Sequence, residues 1–216
     1  SHQDAINKGM QALHERNSQY WEVPYLPIDP SDIGREYEPI VRINSQSGKG
    51  GVGYILETKF GLNLPPKMRE AMGYATKAVS DHKHKELHPD EIFNLFKEKF
   101  EDITTPFNIS EVHFKQHNGI IAEVTVECEG KSVVAIAAGN GRLNAVSNAL
   151  KNQFRLEYDL TTYQEHALTK SSSSSAIAYV GIETPNGKIH WGAAIDPDII
   201  RASIDALLTA INHSVK

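Results

Sequence analysis

Two stretches of this chain decide its fold: GKSVVAIAAGNGRLNAVSNAL at residues 130–150 and GKIHWGAAIDPDIIRASIDAL at residues 187–207. They match from the opening Gly-Lys pair to the closing Ala-Leu pair. The segments just before them also match, IAEVTVE at 121–127 and IAYVGIE at 177–183, with one residue inserted between the matching parts. Glu-Gly-Lys and Asn-Gly-Lys are typical of tight hairpin turns, so each copy reads as strand, turn, strand, helix.

A further strand is predicted before each copy. ISEVHFKQ at 109–116 precedes the first copy, and FRLEYDLTTYQEHA at 154–167 precedes the second. The predicted unit is therefore βββα, present twice. Each helix has small residues on one face, which permits close approach to a sheet. One unit alone leaves a sheet face uncovered, so two units must pack against each other or against a partner chain.

The upstream region is predicted to be helical and extended. AINKGMQALHERN has the apolar spacing of one amphipathic helix. LPPKMREAMGYATKAVSDH begins with two prolines that suit a first helical turn, and HPDEIFNLFKEKF carries start signals and an apolar face. We therefore predict an α+β chain in three parts: small helical and extended subdomains at 1–56 and 57–108, then two βββα repeats at 109–216.

The stretch from Trp21 to Leu56 fits no simple pattern. Its prolines fix backbone angles and remove amide donors, which predicts an ordered, extended connector. SGKGGVG at 47–53 invites a phosphate-loop interpretation but lacks the required Gly-x4-Gly-Lys-Ser/Thr spacing. We interpret it as a tight turn that leads into a buried strand, VGYIL.

Composition limits the class of protein. The chain has 216 residues, 40% of them hydrophobic, and a net charge of −5, which argues against a nucleic-acid surface. No apolar run approaches the ~20 residues of a membrane span, and no signal peptide is recognisable. The single cysteine, Cys128, favours a reducing cytoplasm. Because a helical pattern starts at once without a methionine, we expect the chain to be part of a longer protein.

Two polar clusters are interpreted as surface loops. His82, His84 and His88 resemble a metal cluster, but they lie among lysines between two predicted helices, so we predict a solvated loop and no metal site. The serine run 171–175 is by default a flexible loop, although its place before the second repeat would also suit a lid over a ligand.

AGNGRL at 138–143 is the best candidate for an anion site. Two glycines lie where a strand gives way to a helix, and free amides at a helix N-terminus bind carboxylates. Asn140 would serve equally as an ordinary N-cap. The second copy has Asp-Pro-Asp at 196–198 instead, which suits capping and repels an anion.

The longest motifs resemble one family. SHQDAINKGM, WEVPYLPIDPSDIGREYEPIVRINSQSGKGGVGYIL and the GNGRLNA, TYQEHAL and AYV series are similar, over essentially the whole chain, to the C-terminal part of the 2-isopropylmalate synthase family. That family condenses acetyl-CoA with 2-oxoisovalerate in leucine biosynthesis, and leucine inhibits it. The resemblance implies linker subdomain I and a connector at 1–56, subdomain II at 57–108, and a dimerising, leucine-binding regulatory domain at 109–216.

The resemblance also implies site residues. His2 would assist proton transfer and Tyr25 would lie near substrate in the partner subunit of a homodimer. The divalent metal belongs to a catalytic barrel outside these residues, so we expect no cofactor here and no activity from this part alone. The implied leucine-binding residues are Gly139, Gly141, Leu143, Asn144, Leu160, Tyr163, Ala167, Ser174 and Ala176. Asn144 and Ser174 are more polar than the family's usual residues.

Two alternative functions remain open from the sequence. One is a structural dimerisation module that has lost feedback. The other is the regulatory part of a related citramalate or homocitrate synthase, answering to isoleucine or lysine.

Overall fold

A computed structural model describes residues 2–18, 20–35, 49–101, 103–116, 118–168 and 174–215. The chain forms two compact units, Ser1–Val41 and Arg42–Lys216. The predicted boundaries at 56/57 and 108/109 stay predictions. The helices are α1 (His2–Arg16), α2 (Lys49–Phe60), α3 (Pro66–Lys83), α4 (Pro89–Phe100), α5 (Arg142–Phe154) and α6 (Ile199–Ser214). The strands are β1 (Phe107–Gln116), β2 (Ile120–Cys128), β3 (Lys131–Gly139), β4 (Asp159–Ala167), β5 (Ala176–Glu183) and β6 (Ile189–Asp196).

The first unit consists of α1, the proline-rich chain after it and a short 3-10 helix at Pro30–Ile33. Gly9 lets the chain approach α1 closely, because a Cβ there would collide with the ring of Pro24. The indole Nε1 of Trp21 donates to the carbonyl of Leu26 at 2.8 Å and closes the next turn. The described part of this stretch is therefore ordered and irregular, as its prolines predict, but it follows turns and a 3-10 helix and not the extended path expected.

The second unit contains the predicted repeat, and the α+β fold class is confirmed. Strands β1–β2–β3 form one antiparallel sheet and β4–β5–β6 form another. Helix α5 packs on the first sheet and α6 on the second, and α6 also reaches β1. Apolar residues of both helices and of one face of each sheet share a single hydrophobic core. The two helices thus lie between two three-stranded sheets, which covers the inner face of both repeats.

Close packing of α6 on its sheet depends on Gly192 in β6. A Cβ at this position would collide with the carbonyl oxygen of Ala206 and lie 2.6 Å from the amide nitrogen of Ala210. The small residues noted on the helix face therefore serve the close approach that the sequence predicts.

The predicted strand VGYIL is wrong, because Lys49–Phe60 is helix α2. Val52, Ile55 and Leu56 are buried, and their spacing is that of one helical face. Short apolar runs do not distinguish strand from helix by periodicity alone. The predicted strand at 154–167 is also too long: α5 ends at Phe154, Arg155 caps it with a positive φ of 53°, and β4 begins at Asp159.

Helices α2, α3 and α4, residues 49–100, form what we call the helical segment, which lies on the outer face of the second sheet. Tyr179 and Trp191 on that face are buried. Glu101 forms a parallel bridge with Ala193 along the edge of β6. The corresponding outer face of the first sheet carries the exposed side chains of Val134 and Ile136.

No helix among the described residues is both long enough and apolar enough to cross a membrane.

Candidate functional site

The junction between β3 and α5 brings together the first group of predicted site residues. Gly139 must be a glycine here, because a Cβ would collide with the amide nitrogen of Ala145 and lie 2.7 Å from Oδ1 of Asn144. The helix N-cap is Gly141, so the alternative that Asn140 caps α5 is wrong. Since Gly141 has no side chain, α5 starts without a side-chain cap, as an anion-binding helix end requires.

Asn144 and Asn148 brace this junction. Oδ1 of Asn144 accepts from the backbone amide of Asn140 at 3.0 Å. Nδ2 of Asn148 donates to the carbonyl of Ala138 at 2.9 Å and to Oδ1 of Asn144 at 3.4 Å. The polar residue that departs from the family's usual apolar one, Asn144, therefore holds the loop that carries the two glycines.

The inner face of β4 carries the second group. Leu160, Tyr163 and Ala167 lie opposite Ile182, Val180 and Ala176 of β5, so all three point to the helix layer. Leu160 remains 39% exposed and Tyr163 42% exposed. An edge strand with apolar, accessible side chains on its inner face is a suitable wall for a small apolar ligand.

A polar network positions the ring of Tyr163. Its hydroxyl contacts the carboxylate of Glu165 on the same strand and lies 2.8 Å from Oγ of Ser203 on α6. Burial, together with the neighbouring Glu165 carboxylate, raises the pKa of the Tyr163 phenol above its usual value. The phenol therefore stays neutral and ties β4 to α6.

The remaining predicted residues lie where β4 passes into β5. Ala176 pairs with Ala167, and the amide of Leu168 donates to the carbonyl of Ser175 at 2.8 Å. Ser174 Oγ donates to that same carbonyl at 3.2 Å. Residues 171–173 lie outside the described part of the chain, so the predicted serine lid stays a prediction.

The repeat provides an internal comparison for this site. We call the space between α5 and β4 the first seam and the equivalent space between α6 and β1 the second seam. Leu160 is equivalent to Ile109, since they pair with the matching residues Ile182 and Val126 and both precede a β-bulge. Ile109 is only 1% exposed, whereas Leu160 is 39% exposed. The second seam is therefore closed at a position where the first is open.

Arg201 closes the second seam. Its Nη2 donates to the carbonyl of Ile109 at 2.9 Å, and its Nε donates to Oδ2 of Asp205 at 2.7 Å. In the repeat, Arg201 and Asp205 are equivalent to Asn144 and Asn148. Both asparagines are uncharged, and Asn144 is shorter than the arginine. Sequence reasoning missed this pair. Its i,i+4 spacing was visible but would have predicted only a surface ion pair.

The predicted residues His2 and Tyr25 belong to the first unit. His2 is the first described residue of α1, and its side chain lies outside the described part of the structure. Tyr25 is 64% exposed and has a positive φ of 64°, an uncommon conformation for a tyrosine. Their catalytic roles stay predictions.

The histidine and lysine cluster before α4 serves helix capping. His82 and Lys83 belong to the last turn of α3, so only part of the cluster is loop. Glu91 accepts from the backbone amide of His88 at 3.0 Å and from Nζ of Lys85 at 2.8 Å. These bonds lower the pKa of the Glu91 carboxyl to about 2. Among the described residues, no group of three or more His, Cys, Asp or Glu side chains is arranged to share a metal ion.

Comparison with known proteins places this geometry in context. Residues 1–57 match a family model described as alpha-isopropylmalate synthase, post-catalytic domain-like, and residues 86–215 match one described as LeuA allosteric (dimerisation) domain. The chain is 49% identical over its whole length to a 2-isopropylmalate synthase of Desulfitobacterium hafniense (strain Y51), covering 39% of that protein. It is 44% identical over its whole length to one of Helicobacter hepaticus (strain ATCC 51449 / 3B1), covering 40% of that protein. A third, of Clostridium acetobutylicum, is 42% identical over 99% of this chain and 39% of its own length.

Proposed function

Since the chain belongs to the LeuA allosteric (dimerisation) domain family, we propose that it is the leucine-sensing part of a 2-isopropylmalate synthase. The resemblance predicted from the sequence is confirmed at the level of the family. The chain spans 39–40% of the length of the synthases compared above. The condensation of acetyl-CoA with 2-oxoisovalerate, and its divalent metal, are therefore proposed for the parent enzyme. We expect the 216 residues alone not to catalyse that reaction.

The observation that carries the proposal is the difference between the two seams. The first seam has an uncapped helix end at Gly141 and accessible apolar side chains at Leu160 and Tyr163. In the second seam, Arg201 reaches across to β1, and Asp198 caps the helix by accepting from the amide of Ile200 at 2.8 Å. The first seam thus offers both an uncapped helix end for an anion and an accessible apolar wall. In the second seam, the helix end is capped and the apolar side chain is buried.

L-Leucine fits the chemistry of the first seam. Its carboxylate would accept from the backbone amides at the start of α5, where the helix dipole favours an anion. Its isobutyl group would lie against Leu160 and the ring of Tyr163, and full burial of such a group contributes roughly 2–3 kcal/mol. The predicted leucine-binding residues form two groups in the described structure, one at the start of α5 and one on β4. In the other repeat, the equivalents of Asn144 and Leu160 are Arg201 and Ile109, which are in contact. This supports one ligand that contacts both groups.

A ligand-shift melting assay tests this function. The melting temperature is measured with L-leucine, L-isoleucine or L-lysine at equal concentrations, because only a ligand of the folded state raises it by mass action. We expect the largest rise with L-leucine. A larger rise with isoleucine or lysine would favour a related citramalate or homocitrate synthase, and no rise with any of them would favour a module without feedback.

We further propose that the chain forms a homodimer. The family's description names dimerisation, and the exposed Val134 and Ile136 supply apolar surface of the kind that such pairing buries. Size-exclusion chromatography with light scattering measures this directly. The expected mass is that of two 24.0 kDa chains, and the mass of one chain would contradict the dimer.

A further inference from the structure

Strand β4 is shared by two contacts on opposite faces. Its inner face carries Leu160, Tyr163 and Ala167 toward the first seam. Its outer face carries Gln164 and His166, because successive side chains of a strand point to opposite sides. Both outer side chains bond to Asn63, in the loop between α2 and α3. One strand therefore connects the proposed leucine site with the helical segment.

The imidazole of His166 is the central contact. Its Nε2 lies 3.3 Å from the backbone nitrogen of Asn63, and its Nδ1 lies 3.2 Å from the carbonyl oxygen of Ala167. Because a backbone N–H can only donate, Nε2 must accept, and the proton must reside on Nδ1. Nδ1–H then donates to Ala167, and the hydroxyl of Tyr179, 3.1 Å from Nε2, donates to the same nitrogen as Asn63. A neutral imidazole thus joins the backbone of Ala167 to that of Asn63.

Asn63 is held from both sides. Nε2 of Gln164 donates to its carbonyl at 3.3 Å, so β4 engages both the amide and the carbonyl of this residue. On the other side, Nη2 of Arg69 in α3 donates to Oδ1 of Asn63 at 3.2 Å and to the carbonyl of Leu64 at 3.3 Å. The residue that bonds to β4, Asn63, is therefore also the residue that bonds to α3.

Arg69 extends the contact to α2. A Cβ on Gly53 would collide with Cδ of Arg69 and lie 2.6 Å from its Nε, so the arginine stem passes directly over this glycine. Among the described residues, Nε of Arg69 is buried without a hydrogen-bond partner. Gly53 belongs to the Gly-rich stretch that first suggested a phosphate loop, and its observed use is to admit the Arg69 side chain.

We propose that Ala167, His166, Asn63 and Arg69 form a relay by which leucine in the first seam orders the helical segment. The inference rests on the proposed function, because it needs a ligand that contacts the inner face of β4. Such a ligand restrains β4, and the restrained strand holds the loop at Asn63 in its bonded position. The coupling is reciprocal, so an ordered loop also strengthens leucine binding. His166 is a positioning residue in this scheme.

Amide hydrogen exchange of the whole 216-residue chain tests the relay. Exchange at residues 61–69 is measured with and without saturating L-leucine in the wild type and in His166→Leu. In the wild type we expect leucine to slow this exchange by about tenfold, a typical coupling factor. In His166→Leu the leucine-dependent change should fall below about twofold. Leucine should still bind, with its Kd raised by no more than about tenfold, since only the coupling is lost.

Two further variants make the result specific. Thr162→Val lies on the same outer face of β4 but has no contact with Asn63 among the described hydrogen bonds, and it should keep the full leucine-dependent change. His166→Gln retains an acceptor for the Asn63 amide, so it should keep part of the leucine-dependent change in exchange. It also provides the test if His166→Leu fails to fold. Full protection in both His166 variants would overturn the relay, as would a wild type that binds leucine without slower exchange at 61–69. A wild type that does not bind leucine would instead overturn the proposed function, and the relay with it.

Discussion

Asn212 is a buried polar residue of α6 that holds the chain between α4 and β1. Its Oδ1 accepts from the amide of Phe107 at 2.9 Å, and its Nδ2 donates to the carbonyls of Phe107 at 2.8 Å and Ile103 at 2.6 Å. Thr209, one turn earlier on α6, accepts from the amide of Ile103 at 3.1 Å. Helix α6 thereby supplies hydrogen-bond partners to the backbone of Ile103 and Phe107, at the entry into β1.

Asn212→Ala should therefore strongly destabilise the chain. The substitution leaves the buried amide and carbonyl of Phe107 and the partly buried carbonyl of Ile103 without this partner. We expect a loss of about 3 kcal/mol in the free energy of unfolding. Denaturant unfolding measures the loss. Asn152→Ala, at an exposed position of α5, is the matched control and should change stability by less than about 0.5 kcal/mol. Equal effects of the two substitutions would contradict the role assigned to Asn212.

Glu91 gives a pH-dependent prediction at the start of α4. Its pKa is lowered from 4.5 to about 2, first by the Lys85 bond and then by the His88 amide. A lowered folded-state pKa means that the capping contribution is present above pH 4.5 and is lost as the pH falls toward 2. Carbon NMR of the Glu91 carboxyl should show titration near pH 2 in the wild type and a clearly higher midpoint in Lys85→Met. An ordinary titration near pH 4.5 in the wild type would refute the capping assignment.

At the scale of elements, the two seams should respond differently to the loss of Arg201. Arg201→Ala removes the bond from α6 to the Ile109 carbonyl. Because the arginine is partly exposed, we expect a local loss of only about 1 kcal/mol, which makes amide exchange in β1 about fivefold faster. Exchange in β4 should not change. Asp205→Asn keeps the bond to Ile109 and should have less than half this effect. Unchanged exchange in β1 after Arg201→Ala would show that this residue does not close the second seam.

The elements that the sequence predicts well are those with repeated, local signals. Matching Gly-Lys turns and alternating strands predict both βββα units, because hairpin turns and strand alternation are set by neighbouring residues. The helix at 49–60 is mispredicted because its five apolar-looking residues VGYIL are too few to distinguish the two periods. The burial of Val52, Ile55 and Leu56 on one helical face becomes evident only once α3 and Arg69 are in place.

The candidate site is predictable only in part, because some of its contacts join residues that are far apart in sequence. The glycines at 139 and 141 are recognisable as a strand-to-helix junction, and the resemblance adds Leu160 and Tyr163 on β4. The bonds from Arg201 to Ile109 and from His166 to Asn63 join residues 92 and 103 positions apart in sequence. No local pattern encodes such contacts, because they depend on how the sheets, α6 and the helical segment pack.

At the scale of the whole molecule, the two copies of the repeat differ: among the described residues, the first seam is open at Leu160 and the second is closed at Ile109. Arg201 links α6 to β1 across the closed seam, and we propose that leucine links α5 to β4 across the open one. The opposite face of β4 contacts the helical segment, and we propose that leucine bound on one face of β4 orders the segment on the other. This asymmetry predicts one leucine per chain.

A calorimetric titration with L-leucine shows whether the first seam is the leucine site, when the wild type is compared with Leu160→Asp and Val215→Asp. Val215 is exposed to a similar degree, 42% against 39%, but it follows α6 and belongs to neither α5 nor β4, the elements that define the first seam. We expect one leucine per chain in the wild type. The Kd should rise at least about tenfold in Leu160→Asp, because a carboxylate replaces the apolar wall, and it should stay within about twofold of the wild-type value in Val215→Asp. No binding by the wild type at millimolar leucine, or unchanged binding by Leu160→Asp, would contradict a leucine site in the first seam.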